Sequence, residues 1–506
     1  MARNLASNTV IMFARTGVTM VISLYASRLV LSALGVTDFG IFALVAGIVS
    51  FFTFLNSSLS QGTQRFLSFE LGRSDWHMAK IVFCTSFRIH LMIGFVILIL
   101  AETIGLWFVK TQATIPDERM TAALIVYQFS VVSTVILVVQ VPLTAALTAS
   151  ERFTVFAIFD IVFALLRLVA AFLLVYVDSD KLILYGFLTL LFTFIVTLAK
   201  YVYCWLRIRF FCISGDFKAD VFREILGFTG WSLIGTFSMV VNAQGAGVVL
   251  NVFFGPALNA AQSVALQVAN AASTMGANLQ IVSAPQIVKS FSAGDMEGFQ
   301  DLIEKSSKFA FFIMLILGLP IIVEADFLFF LWLGNPPEFS VEIVQILLVN
   351  SIFTSLSLPL MTAAQASGDI RNYQIIVGST MISSIPIGVI FLSIGAGPLS
   401  LFLTSFVATV VSFFLRIWIL ESLVNLDVTR YLRNTLYPVC LVSVATLLSA
   451  ASLYLLTPDH SFWPLFSLFS VTATTMAAVW FLGANEDERM WLIHAIKTKL
   501  TKSSKP

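Results

Sequence analysis

Long apolar stretches follow one another along this chain and largely determine what it can fold into. The chain is 58% hydrophobic and 11% charged, with a mean hydropathy of +0.94. A helix needs about 20 apolar residues to cross a bilayer, and it satisfies its own backbone hydrogen bonds there. The sequence therefore predicts an all-α polytopic membrane protein with about fourteen spans, at 9–34, 39–61, 81–109, 120–149, 153–177, 182–206, 224–250, 257–281, 308–333, 341–365, 372–395, 397–421, 436–456 and 463–483.

The basic residues predict the orientation of these spans. If the N-terminus is cytoplasmic, 21 of the 29 Lys and Arg residues fall on the cytoplasmic side and three fall outside. An excess of Lys and Arg is typical of cytoplasmic loops. We therefore expect both termini to be in the cytoplasm.

Two sequence echoes indicate an internal duplication. Residues 142–150 match residues 359–367 at five of nine positions with an offset of 217, and Gln64, Ser68, Phe69 and Gly72 recur with an offset of 222. Six spans separate the members of each pair, so the two halves would enter the membrane in the same orientation. This predicts pseudo-symmetric six-helix lobes at 1–210 and 211–425, two additional helices at 426–485, and a basic amphipathic cytoplasmic tail at 486–506.

Charged residues inside the spans are the strongest candidates for function. An arginine at the centre of a membrane helix costs roughly 2.5–3.5 kcal/mol, so it normally faces protein or a hydrated cavity. Arg28 and Arg167 lie deepest, whereas Arg416 lies near a span end and is expected to reach the headgroups. The predicted substrate-binding cations of a positively charged cavity are Arg28, Arg167, Arg15 and Arg88. Asp160 lies two turns from Arg167 on nearly the same helix face, and Asp160 and Glu102 are the candidate coupling-ion carboxylates.

Polar residues at helical spacing accompany these charges. The predicted cavity lining comprises Asp160, Ser57, Asn242, Gln244, Gln267 and Asn270. Such stripes either hold neighbouring helices together or line a hydrated cavity, and both interpretations remain open. Pro142 and Pro359 occupy equivalent places in the two halves, where each removes a helix hydrogen bond and is a candidate hinge.

The sequence contains no signal for catalysis or for a cofactor. The four histidines have no metal-ligand spacing, and neither a nucleophile elbow nor a phosphate-binding loop is present. We expect a protein that is not an enzyme and that binds no metal, cofactor or nucleic acid.

The chain resembles the polysaccharide or O-antigen flippases of the multidrug/oligosaccharidyl-lipid/polysaccharide exporter superfamily. The resemblance rests on three segments, at Tyr25–Val45, Ala149–Arg152 and Asn251–Ala260. It implies a MATE-like fold with a central cavity, in the bacterial inner membrane. It also implies movement of an undecaprenyl-diphosphate-linked oligosaccharide, a lipopolysaccharide or polysaccharide repeat unit, to the outer leaflet. A proton or sodium gradient would drive this movement.

Two other functions remain open. A MATE-like, cation-coupled drug antiporter would need acids to receive a cationic substrate, whereas the N-terminal half has four intramembrane arginines and two acids. A membrane polymerase or glycosyltransferase is disfavoured because the outer loops are short. The expected partners are the lipid-linked oligosaccharide, membrane lipids and the coupling ion, together with glycan polymerase or assembly machinery.

Overall fold

The chain is an all-α membrane protein. The computed structural model describes residues 2–51, 63, 66–67, 70–71, 75–150, 152–177, 180–212, 218–367, 369–455, 463–486 and 488–490, and within these ranges it contains no β-strand. Ten helical segments in this part of the chain are long and apolar enough to cross a membrane, and a bent pair at 340–367 would make eleven. The predicted fold class is confirmed, whereas the number fourteen and the orientation stay predictions.

In the described part of the chain, single π-helical turns join two pairs of helices and follow a third helix. Their bounds are α1 Ala2–Phe51, α2 Trp76–Leu100, α3 Leu106–Thr111, α4 Asp117–Val139, α5 Val141–Ala149, α6 Phe153–Tyr176, α7 Lys181–Arg207, α8 Ala219–Phe254, α9 Pro256–Ser292, α10 Met296–Val323, α11 Ala325–Leu333, α12 Ser340–Ser355, α13 Ser357–Ser367, α14 Arg371–Ser393, α15 Leu399–Val424, α16 Val428–Tyr431, α17 Tyr437–Leu455 and α18 Trp463–Ala478. The π turns are Ala101–Gly105, Leu432–Leu436 and Val479–Gly483.

The chain forms two compact units. Unit 1 comprises Met1–Gln267, Trp332–Ser340 and Gly378–Ser405, and unit 2 comprises Val268–Leu331, Val341–Val377 and Phe406–Pro506. One apolar core of unit 1 joins the second half of α1 to α2, α3, α4 and α7, with Tyr127 and Val45 fully buried in it. In unit 2 the C-terminal helices α17 and α18 pack against α10.

Two glycines break long helical stretches of unit 1 in the same way. Gly35, inside α1, has φ 74° and ψ 171°, and Gly255, between α8 and α9, has φ 79° and ψ −171°. This left-handed backbone strains any residue that carries a Cβ, which explains glycine at both positions. The two positions are 220 residues apart, between the offsets of the two sequence echoes.

The helical segments that follow these two breaks touch at a third glycine. A Cβ placed on Gly40 would overlap the backbone carbonyl of Pro256, the first residue of α9. Glycine at position 40 therefore permits direct backbone contact between α1 and the start of α9. Close to this contact, Asn251 fixes the loop before α4, because its side chain accepts from the Thr114 amide and donates to the Thr114 carbonyl.

Arg119 joins three parts of unit 1 by paired hydrogen bonds. Its Nε and Nη2 atoms donate to the two carboxylate oxygens of Asp38 at 2.8 and 2.6 Å, and Nη1 donates to Asp180 at 2.7 Å. Asp180 also caps α7 by accepting from the amides of Leu182 and Ile183. The hydrogen bond from Arg119 lowers the pKa of the Asp180 carboxyl below its ordinary value. One guanidinium thus connects α1, α4 and the start of α7.

A buried ionic network supports the C-terminal helices of unit 2. The Lys308 ammonium lies 2.7 Å from the Glu488 carboxylate, and their side chains are only 2% and 7% exposed. One turn earlier on α10, Glu304 accepts from Gln300 and Asn434 and pairs with Arg430 at 3.1 Å. Because a buried charge without a partner is costly, these contacts hold the segments around 430 and 488 on α10.

We expect Gly40→Ala to lower the thermal unfolding temperature of the purified protein by several degrees, because the new methyl group must displace the start of α9. Gly17→Ala is the matched control, since a Cβ at that helical glycine meets nothing within 4 Å. Equal unfolding temperatures for the two variants would contradict the close backbone contact.

Replacing Arg119 by leucine should destabilise unit 1 by about 1–3 kcal/mol, because four charge-assisted hydrogen bonds are lost at a site that is partly exposed. Lys110→Leu, which removes an exposed cation near the end of α3, should have little effect. Denaturant unfolding in detergent micelles measures both. A loss of similar size in the two variants would show that the paired geometry contributes nothing.

Candidate functional site

A cavity of about 380 Å³ lies within unit 1. Its walls come from both segments of α1 and from α6, α7, α8 and α9. Amide and hydroxyl groups dominate the polar part of the lining, which comprises Ser23, Ser27, Arg167, Tyr185, Gln244, Asn259, Gln262, Ser263 and Gln267. The apolar part includes Phe39, Phe42, Leu44, Ile48, Val248 and Leu266. A concave, mainly apolar site with a few converging polar groups is typical of a ligand pocket.

Helix α9 supplies most of the amides because of its spacing. Asn259, Gln262, Ser263 and Gln267 follow an i, i+3, i+4, i+8 pattern, which places them on one helix face. Gly247 on α8 allows this face to approach closely, since a Cβ there would lie 2.9 Å from the Gln262 side-chain oxygen. Asn259 donates to the Gly247 carbonyl at 2.7 Å. Its own side-chain oxygen is buried and accepts no hydrogen bond within the described part of the chain.

Arg167 is the only charged residue in the cavity lining of the described chain. The guanidinium lies 5.0 Å from the ring centre of Phe163, one turn earlier on α6, which is a cation–π distance. No described carboxylate lies within salt-bridge distance of it. The tilted ring pair of Phe42 and Tyr185, 4.6 Å apart, forms part of the same lining. The cavity therefore combines one available cation, an aromatic pair and a wall of amides.

Asp160 belongs to a separate ionic cluster. Its carboxylate accepts from Arg15 at 2.8 Å and lies 3.9 Å from the Lys200 ammonium. Arg15 also stacks on the Phe156 ring, one turn before Asp160, at 5.0 Å. Lys200 is 6% exposed and donates to Gln140 at 3.5 Å, and Gln140 in turn accepts from Thr197. One carboxylate thus faces two cations, and the described structure does not pair it with Arg167.

The other predicted site residues are dispersed. Arg28 is exposed and Arg88 is half-buried, and neither lines the cavity. Asn242 donates to Ser384 at 2.8 Å, which joins α8 to α14 inside unit 1. Glu102 accepts from Gln128 at 3.2 Å and does not line the cavity. Asn270 is exposed, and Ser57 lies outside the described residues.

Arg416 shows where the sequence analysis was wrong. It was expected to reach the headgroups, but it is 7% exposed and donates from Nη1 to the Tyr373 hydroxyl within unit 2. The buried Tyr373 oxygen accepts one of the guanidinium hydrogen bonds, so the guanidinium does not need to reach the lipid headgroups to find an acceptor.

The two candidate hinge prolines both follow a break in their helix. Pro142 stands at the start of α5, just after the turn at Gln140, and Pro359 lies in α13, which is bent by 42° from α12. Both prolines are buried. Their role as hinges stays a prediction.

Arg167, Gln244 and Gln267 are the predicted residues that line the cavity, and several other lining residues did not stand out in the sequence. Asn259 and Gln262 continue the polar stripe of α9 toward its start, so extending that pattern by two turns would have found them. Lys200 was missed because only arginines were considered inside the spans. Ser23 and Ser27 lie close to Arg28 in the sequence of the first span. The spacing of polar residues there did not indicate that the two serines and Arg28 lie on different helix faces.

Solved structures of membrane transporters share this fold. The inward closed conformation of the lipid II flippase MurJ matches with a TM-score of 0.69 at 14% identity, covering 94% of this chain and 98% of that chain. The inward-facing conformation of a multidrug resistance MATE family transporter of the MOP superfamily matches with 0.63 at 17% identity, covering 82% and 95%. MATE in complex with MaL6 matches with 0.58 at 16% identity, covering 83% and 97%. No family model and no curated protein matches the sequence.

These likenesses establish the fold. The chain is a multi-pass membrane protein that shares its fold with these MATE transporters and with the lipid II flippase MurJ, and the predicted MATE-like fold is confirmed. The more specific resemblance to O-antigen flippases stays a prediction.

We expect Asp160 and Lys200 to be energetically coupled. Asp160→Asn should destabilise the protein by about 1–3 kcal/mol, because it leaves Arg15 and the buried Lys200 without their counter-charge. Adding Lys200→Met should recover part of that loss, since the second variant removes one of the stranded cations. Denaturant unfolding of the four proteins in the cycle measures the coupling. Strictly additive losses would show that Lys200 and Asp160 do not interact.

Proposed function

We propose that this protein is a membrane transporter that moves a lipid-linked oligosaccharide across the bilayer, and that the unit 1 cavity receives its polar headgroup. The observation that carries this proposal is the lining itself, in which the Arg167 guanidinium is the single charge among the described residues and is surrounded by amides and hydroxyls. Guanidinium groups bind phosphate oxygens through paired hydrogen bonds, and amides both donate to and accept from sugar hydroxyls.

The cavity size limits what it can hold. A volume of about 380 Å³ is in the range of pockets for small organic ligands, so it would hold a phosphate with adjoining sugar rather than a long glycan. The rest of the substrate would have to lie outside it. The unpaired Asn259 oxygen adds an acceptor for a sugar hydroxyl, and the Phe42–Tyr185 pair adds an apolar surface.

The predicted roles of the other residues belong to this proposal. Transport would be coupled to a proton or sodium gradient through Asp160, whose neutralisation would weaken its hold on Arg15 and Lys200. The helix breaks before Pro142 and Pro359 would bend during alternating access between inner and outer leaflets. The setting would be the bacterial inner membrane, where the cargo would be an O-antigen or related polysaccharide unit passed to assembly enzymes.

A cation-coupled drug antiporter is the second candidate, because MATE transporters share the fold. A cationic drug would need an acidic partner, and the described cavity lining contains neither Asp nor Glu. The lining therefore favours an anionic or neutral polar headgroup.

Variants of Arg167 test the proposal in a strain that lacks the native protein. Arg167→Ala should lower glycan export at least about tenfold, because a charge-assisted contact to the substrate is lost. Arg167→Lys, which keeps the charge but not the planar fork, should lower it less. Export is measured as surface glycan together with lipid-linked glycan accumulated in the cytoplasmic leaflet, at matched protein levels.

Arg28→Ala is the matched control, since Arg28 lies in a span but outside the cavity lining. A smaller loss than for Arg167→Ala supports the cavity as the headgroup site. An equal loss would extend the cationic site to Arg28, as the sequence analysis expected. Normal export by Arg167→Ala, or cation-drug efflux that depends on this protein, would contradict the proposal.

A further inference from the structure

One carboxylate of unit 1 points away from the cavity, toward the surface that faces lipid. Glu102 accepts a hydrogen bond from the Gln128 side chain at 3.2 Å, and this pair joins the π turn at Ala101–Gly105 to α4. Gln128 is exposed and Glu102 is half-buried. Within the described chain, Gln128 is the only hydrogen-bond partner of the Glu102 carboxylate, and the second carboxylate oxygen accepts no hydrogen bond there.

The exposed apolar residues around this pair identify its surroundings as lipid. On α2, Leu91, Phe95 and Leu98 follow the helical spacing that leads to Glu102, and they are 45%, 63% and 36% exposed. On α4, Ile125 and Val132 flank Gln128 on one helix face and are 36% and 43% exposed. Exposed apolar stripes on two adjacent helices are expected where the helices contact lipid tails. Glu102 interrupts the first stripe and Gln128 interrupts the second, and the two polar side chains are in contact.

The pair lies deep along both helices. Glu102 precedes Lys110 by eight residues and Gln128 follows Arg119 by nine, about 12–14 Å along a helix at 1.5 Å per residue. Lys110 and Arg119 are the charged residues near the predicted external ends of these helices, and half of a hydrocarbon core is about 15 Å thick. The carboxylate is therefore placed well inside the hydrocarbon, where an ionisable group is costly and is usually functional.

The backbone around Glu102 has an unusual and well-supported geometry. The π turn disturbs the regular hydrogen bonds at Ala101–Gly105, and the hydroxyl of the fully buried Tyr127 donates to the Ala101 carbonyl at 2.6 Å. Tyr127 and Gln128 are neighbours on α4, so one residue supports the turn from inside the core and the next contacts Glu102 outside. Single π turns of this kind are frequent at functional sites.

We propose that the Glu102–Gln128 pair is a docking site for a transmembrane helix of a partner protein that presents a basic side chain at the same depth. A cation would complement the net charge of the pair and satisfy the second carboxylate oxygen. Intramembrane charges normally pair in this way, and a low dielectric strengthens their attraction. A second copy of this chain fits less well, because it would bring two carboxylates together in hydrocarbon. The site does not depend on what the unit 1 cavity carries.

A defined peptide tests the chemistry of this surface. The full-length protein, labelled with a fluorescence donor, is reconstituted in zwitterionic lipid vesicles together with acceptor-labelled polyleucine helices. One peptide carries a single arginine at its centre, and the control peptide has leucine there. We expect saturable energy transfer with the arginine peptide, weakened at least about tenfold by Glu102→Gln and also reduced by Gln128→Leu.

Glu118→Gln is the matched protein control, because it removes an exposed carboxylate at the start of α4 and should leave peptide binding unchanged. Unfolding temperatures of all variants establish that binding is compared between folded proteins. The proposal is overturned if the leucine peptide binds equally well, or if Glu102→Gln binds the arginine peptide as the unaltered protein does. Self-association of labelled protein that requires Glu102 would also overturn it, because the occupant would then be a second copy.

Discussion

A charge inside hydrocarbon must be matched by an opposite charge or by hydrogen-bonding groups, and this constraint explains the arrangement of unit 1. Asp160 is shared by Arg15 and Lys200, and Glu102 has an amide beside it. Arg167 differs from these groups, because an aromatic face is its main contact within the described chain. Its guanidinium hydrogens thus remain available at a cavity wall, which is the physical reason for giving it a role in binding.

The sequence predicted the broad architecture well because hydropathy depends on local composition. The all-helical fold and the polar face of α9 both follow from residue spacing. The cationic cavity was harder to predict, because the direction of a side chain depends on packing between distant segments. Arg15 and Asp160 meet although 145 positions separate them. Asp160 and Arg167 lie two turns apart on the same helix. Asp160 nevertheless pairs with Arg15, whereas Arg167 lines the cavity.

Each unit contains a buried basic side chain, and the two side chains have chemically different partners. Lys200 on α7 and Arg416 on α15 are both buried basic residues, 216 positions apart, close to the offset of 217 between residues 142–150 and 359–367. Lys200 faces a carboxylate on the preceding helix, whereas Arg416 faces a phenol there. A duplicated ancestor would account for the shared position. The two copies would then differ in the group that faces the buried cation.

The left-handed breaks at Gly35 and Gly255 have a consequence for how distant relatives can be recognised. At identities of 14–17% most side chains have been exchanged, and alignments based on residue similarity lose their register. Any residue with a Cβ strains a backbone with φ near 75°, whatever its side chain would contact, so glycine is expected at both positions. The spacing between two such glycines is therefore a mark of the predicted duplication that does not depend on side-chain similarity.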